Sequence, residues 1–193
     1  MSIPTHEEHE EAKATLAFIR QTMESASAFT AVSGWGLVGV GLVGLAASAA
    51  AAQLGNPTTL TVWIPAATLA VAIAAISNAG KAKRTGVPLW SGSFRKLAWV
   101  MAPVLAAGAV LTYALAQADD PALLPGMWLA LYGAGVTAGG TLSIRAIRGM
   151  GLAMLALGVA ALFQPAWGPV LLAAGFGVLH LVVGLRLVTR HGG

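Results

Sequence analysis

The sequence predicts an all-α, polytopic membrane protein: six transmembrane helices as three tandem αα-hairpins, preceded by an N-terminal amphipathic cytoplasmic helix. Three observations predict it. Of 193 residues, 57% are apolar and only 9% charged, against about 25% charged in a soluble domain; the mean hydropathy is +0.77. Uncharged apolar runs recur along the chain at lengths that suit a hydrocarbon core of about 30 Å. The basic residues fall only in alternate connections between those runs. So little charge cannot solvate a globular surface, which argues against a water-soluble enzyme.

The apolar runs occupy roughly 31–52, 59–78, 97–117, 122–142, 149–164 and 169–187. Each is read as a helix, because a helix satisfies its own backbone groups in lipid. The fifth run, at 16 residues, makes about 24 Å of helix and is short for the core. Pro65 and Pro103 lie inside runs two and three, where each removes an intrahelical hydrogen bond and is expected to kink its helix.

Ahead of the first run, residues 1–30 carry Glu7, Glu8, Glu10, Glu11 and Glu24 against Lys13 and Arg20. Thr5 and Glu8 have capping-box spacing, and Leu16, Ile19, Met23 and Ala26 fall on one helical face. An acidic amphipathic helix results, repelled by anionic lipid. Docking on its own protein and docking on a partner are the two readings.

The remaining basic residues define orientation. Lys81, Lys83, Arg84, Arg95 and Lys96 lie between runs two and three, Arg145 and Arg148 between four and five, and Arg186 and Arg190 after six. The intervening connections QLGNPTT, QADDPALLPG and QPAWGP have none. By the positive-inside rule both termini are cytoplasmic, in the cytoplasmic (inner) membrane. Trp35, Trp90 and Trp99 fall near the inner boundary and Trp63, Trp128 and Trp167 near the outer, as aromatic belts require. The basic cluster from Lys81 to Lys96 is a candidate contact for anionic lipid head groups, and topology charge alone is the other reading.

Pairing the runs gives hairpins at about 31–84, 97–148 and 149–190, each closing on basic residues. Glycine is abundant, with 24 residues. In lipid, small residues that let backbones approach become the association surface. Gly135 with Gly139, Ala173 with Gly177 and Gly44 with Ser48 have small-xxx-small spacing, and serve packing within the chain or between copies.

The third hairpin places Gly151, Gly158, Phe163, Pro165, Leu172, Gly177 and Gly184 in the spaced glycine, apolar and proline pattern of HdeD-like membrane proteins, which it resembles over about 40 residues. The resemblance implies six spans built from repeated hairpins and a link to acid-stress resistance. The acidic preface and the long basic loop depart from it.

Chemistry-bearing residues are few. With no cysteine, disulfides, thiolate catalysis and Cys-ligated metals are absent. His180 is the ionisable group expected within a span, and such groups are the default functional candidates in a membrane. It reads as a packing residue, as a pH-sensing or permeation residue, or as a haem or metal ligand lacking an evident second ligand. His6-Glu7-Glu8-His9 is not HExxH, because the second histidine comes one residue early. No nucleophile constellation or phosphate-cradling loop is present, so no catalytic residue, cofactor or nucleic-acid partner is expected. The expected function is a non-enzymatic membrane component with a structural, regulatory or stress-protective role, working with the bilayer and a membrane-protein partner or a second copy. A small transporter or channel with His180 in its pathway is the alternative.

Overall fold

The computed structural model describes residues 6–27, 32–55, 60–86, 92–118, 120–140 and 145–191, and nearly all of them are helical. In order they form α1 (His6–Ser27), α2 (Gly34–Gln53), α3 (Leu60–Thr85), α4 (Gly92–Gln117), α5 (Leu124–Gly140), α6 (Arg145–Phe163), α7 (Gly168–Leu172) and α8 (His180–His191). A π-helical turn, Ala173–Leu179, joins α7 to α8, so the three pieces together make one spanning rod. Among the described residues, six helices are long and apolar enough to cross a membrane: α2, α3, α4, α5, α6 and the α7–α8 rod. The chain is an all-α polytopic membrane protein.

Several ends differ from the hydropathy pattern, for one reason. Apolarity marks the part of a helix inside lipid, and helices continue past it. α3 runs on through Lys81, Lys83 and Arg84, where cations suit the carbonyl end of the helix dipole. α4 begins at Gly92, well before its apolar stretch. α6 begins at Arg145 and has 19 residues, about 28 Å, so the fifth span is not short. Pro65 and Pro103 sit within continuous helices. Ser33 caps α2, its Oγ accepting from the Gly36 N–H at 3.2 Å.

Burial is uneven. Half of the most apolar window of the fourth span is covered by protein, but none of that in the second span and little in the third. The core is built from α5, α6 and α8, with Leu129, Met154 and Ala161 fully enclosed beside Val136, Ile147, Met150, Val183 and Leu187. α2 packs on α8 and the π turn, α3 on α2, and α4 on α5. The second and third spans thus attach along one side each, and their large side chains, such as Ile76, Val110 and Tyr113, face outward as lipid-facing residues do.

The N-terminal helix α1 forms as expected. Every one of its described side chains, residues 10–19 and Thr22, is exposed, and Lys13 bridges Glu10 at 3.0 Å.

Candidate functional site

Within the bundle His180 is fully buried, with 0% exposure. The π turn just before it sets the Gly175 carbonyl 3.0 Å from Nδ1. A carbonyl can only accept, so Nδ1 carries the proton and Nε2 presents its lone pair. That lone pair meets the Tyr132 hydroxyl of α5 at 3.3 Å, so the phenol donates. Phe176, on the π turn itself, lies nearly parallel to the imidazole with centroids 5.8 Å apart, and Tyr132 packs on Phe176 at 5.1 Å. The result is a closed relay from the Tyr132 O–H through the imidazole to the Gly175 oxygen, walled by aromatic rings. Both ring nitrogens are in use, which leaves neither for a metal or haem.

The backbone around this cluster is held by glycines. A Cβ added at Gly44 of α2 would meet the Phe176 carbonyl oxygen at 2.6 Å and the Gly177 nitrogen at 3.1 Å. One at Gly41 would meet the Gly177 oxygen at 2.9 Å, and one at Gly34 the Gly184 oxygen at 3.0 Å. The first span and the last therefore touch backbone to backbone. A second seam joins α5 to α6: Gly133 lies on the backbone of Leu155, Gly158 on that of Ala130, and Gly140 on that of Arg148.

These contacts sort the small residues singled out by spacing. Gly44 and Gly177 belong to the α2–α8 seam, and Ser48 turns its hydroxyl back to the Gly44 oxygen at 2.8 Å. Ala173, half-buried, opens the π turn. Gly135 and Gly139 face side chains of α4, Val104 and Met101 for the first and Leu97 for the second. Spacing by four missed the tighter pattern: Gly34 and Gly41, Gly177 and Gly184, Gly126, Gly133 and Gly140, and Gly151 and Gly158 each recur at intervals of seven. That is the period of a left-handed helix pair, and it was present in the sequence.

At one end of the bundle the basic residues converge. Lys81, only 8% exposed, reaches the Val32 carbonyl at 3.3 Å, while Asn78 Oδ1 accepts from the Ser33 N–H at 2.9 Å. This polar clamp fastens the end of α3 to the start of α2. Gly34 lies on Val188, Gly139 on Leu97 and Gly140 on Arg148, so Arg84, Arg95, Arg145, Arg148, Arg186 and Arg190 all belong to this end. Of the residues singled out for lipid, Lys83, Arg84 and Arg95 are exposed and Lys81 is drawn inward; the Lys96 side chain lies outside the described residues. The opposite end, where Gly168 meets Pro125 and Gly126 meets Leu162, carries Asp120 and, among the described residues, no cation.

Trp35 and Trp99 are exposed near the basic end and Trp167 near the other. Trp128 is instead tied inward: its ring covers Gly108 and its Nε1 donates to Thr112 Oγ1 at 3.0 Å. The side chains of His6 and His9 lie outside the described residues, among which no cluster of three or more metal-binding side chains occurs.

No protein-family model, curated protein or solved structure matches this chain.

Proposed function

We propose that the chain is a non-enzymatic integral membrane component with a structural, regulatory or stress-protective role, seated in the cytoplasmic membrane with both termini in the cytoplasm. One observation carries this reading. The buried polar side chains are consumed in holding the bundle together: Ser33 caps α2, Lys81 clamps α3 to the residues before α2, and His180 joins α5 to the π turn. Among the described residues, no buried side-chain nitrogen or oxygen lacks a partner. A catalytic or polar-solute site keeps unsatisfied groups for its substrate. The orientation rests on the gathering of Arg84, Arg95, Arg145, Arg148, Arg186 and Arg190 at one end. The stress role rests on the resemblance of the third hairpin to HdeD-like proteins.

The test is gentle extraction from native membranes, native mass determination and identification of co-purifying chains. A stoichiometric second protein supports a scaffolding or regulatory component. Flux of a solute into vesicles that contain this chain alone, lost in His180→Phe, would overturn it. Such flux would favour the second reading, a small transporter or channel. That reading draws on the seven-residue π-helical turn next to His180, because π-helical turns inside α-helices are frequent at functional sites.

A further inference from the structure

The first helix has a seam whose described side chains, Ala12, Leu16 and Ile19, are exposed. Along α1, His9, Leu16 and Met23 recur every seven residues, and Ala12, Ile19 and Ala26 recur between them at the alternating three-four spacing of a heptad. Leu16 is 65% and Ile19 47% exposed, and Ala12 is exposed as well. A single 22-residue helix gains little from propensity alone in water and draws its stability from packing an apolar face. Anionic lipid is an unsuitable cover for this one, because the helix carries five glutamates, one of them, Glu8, beside the seam.

The flanking positions match those of a paired copy of the same helix. In a parallel pair, the residue before each first apolar position faces the residue five places on in the partner helix. That rule sets Glu8 of one helix against Lys13 of the other, an attractive pair, followed by Thr15 against Arg20 and Thr22 against Ser27. No like charges meet across the seam. Two copies inserted the same way round are related by an axis along the membrane normal, so arms that stand along that axis run in the same direction. Confinement to one membrane raises the effective concentration of the second helix, which lets a seam of fewer than three full heptads suffice.

We propose that α1 is a dimerisation arm, pairing as a parallel two-stranded coiled coil with α1 of a second copy of this chain. The bundle contributes the anchor and α1 the recognition.

The chain has no cysteine, so a single introduced cysteine is the only thiol. Full-length Ala12→Cys, Leu16→Cys and Ile19→Cys would be compared with the outward-facing Ala14→Cys and Ala17→Cys, each oxidised in native membranes at low expression. Disulfide geometry is exacting, so seam positions should cross-link to dimer at least about fivefold faster than outward ones. Equal rates at all five positions, or no dimer at any, would overturn the proposal; the latter is the result expected if α1 lies on its own bundle or on a different protein. A charge exchange supplies the second readout, in the Ile19→Cys background. Glu8→Lys should slow cross-linking, and Glu8→Lys with Lys13→Glu should restore it. A double variant as slow as the single one would overturn the parallel pairing.

Discussion

Adding one methyl group at Gly44 tests the claim that the first and last spans meet backbone to backbone. In Gly44→Ala the new Cβ would stand 2.6 Å from the Phe176 oxygen and 2.7 Å from the Phe176 carbonyl carbon, where ordinary contact begins at 3.4 Å. The obstruction is main chain, so no rotamer change relieves it. α2 must move away from the π turn by about 0.8 Å, which loosens the Gly41 and Gly34 contacts of the same seam. Overpacking of this kind costs about 1–3 kcal/mol, which in a chain of this size lowers the melting temperature by roughly 3–10 °C. Two controls isolate the cause. In Gly139→Ala the nearest atom is the flexible Leu97 Cδ1 at 3.2 Å, and the loss should stay below about 0.5 kcal/mol. In Gly149→Ala nothing lies within 4 Å, and the better helix former should leave stability unchanged or raised. The assay is thermal unfolding in one mild detergent, followed by retention of the native size. Equal melting temperatures for Gly44→Ala and Gly139→Ala would refute the backbone seam.

Other substitutions probe the polar contacts. Tyr132→Phe removes the donor to His180 Nε2 and leaves a buried acceptor unpaired, a loss of about 1–3 kcal/mol readable in the same thermal assay; an unchanged midpoint would separate the phenol from the histidine. Thr112→Val keeps the indole over Gly108 but deletes the Oγ1 that accepts from Trp128 Nε1. It should cost about 1 kcal/mol, and no loss would show that the bond is dispensable. Lys81→Met breaks the clamp on the Val32 carbonyl. Protease sensitivity just ahead of α2 should then rise, and an unaltered digestion pattern would argue that the clamp does not hold that segment. A reporter fused at residue 120 should lie outside the cytoplasm, and cytoplasmic activity there would invert the proposed orientation.

The six spans and the separate N-terminal helix were readable from composition, because exclusion of charge from lipid leaves its mark on every crossing helix. Which spans pair was not readable in the same way. In lipid an outward-facing Leu is as comfortable as an inward one, so the apolar pattern of α3 or α5 does not say which face is covered, though α5 is half enclosed and α3 is not. The information resides in the glycines, and there the interval matters. Gly135 and Gly139 draw the eye at a spacing of four but meet only side chains, whereas Gly126, Gly133 and Gly140 at a spacing of seven lie along α6. His180 stood out as an ionisable residue, but its partners did not. A search for charge passes over a tyrosine, and the Gly175 carbonyl comes opposite the imidazole only because the helix widens at Ala173–Leu179. Lys81 counts as one more loop cation in sequence, and only the geometry of the α2 entrance shows it spent on the Val32 carbonyl.

The contact of Gly44 with Phe176 also sets a timetable. α5 and α6 are consecutive, so their seam can zip as soon as both have left the ribosome. The helix that meets Gly34, Gly41 and Gly44 of α2, by contrast, comes only after four other spans. Until that helix is made, the face of α2 that carries Gly34, Gly41 and Gly44 lacks the backbone it packs on. A chain cut short before residue 176 would leave that face without the Phe176 and Gly177 backbone that fits against Gly44.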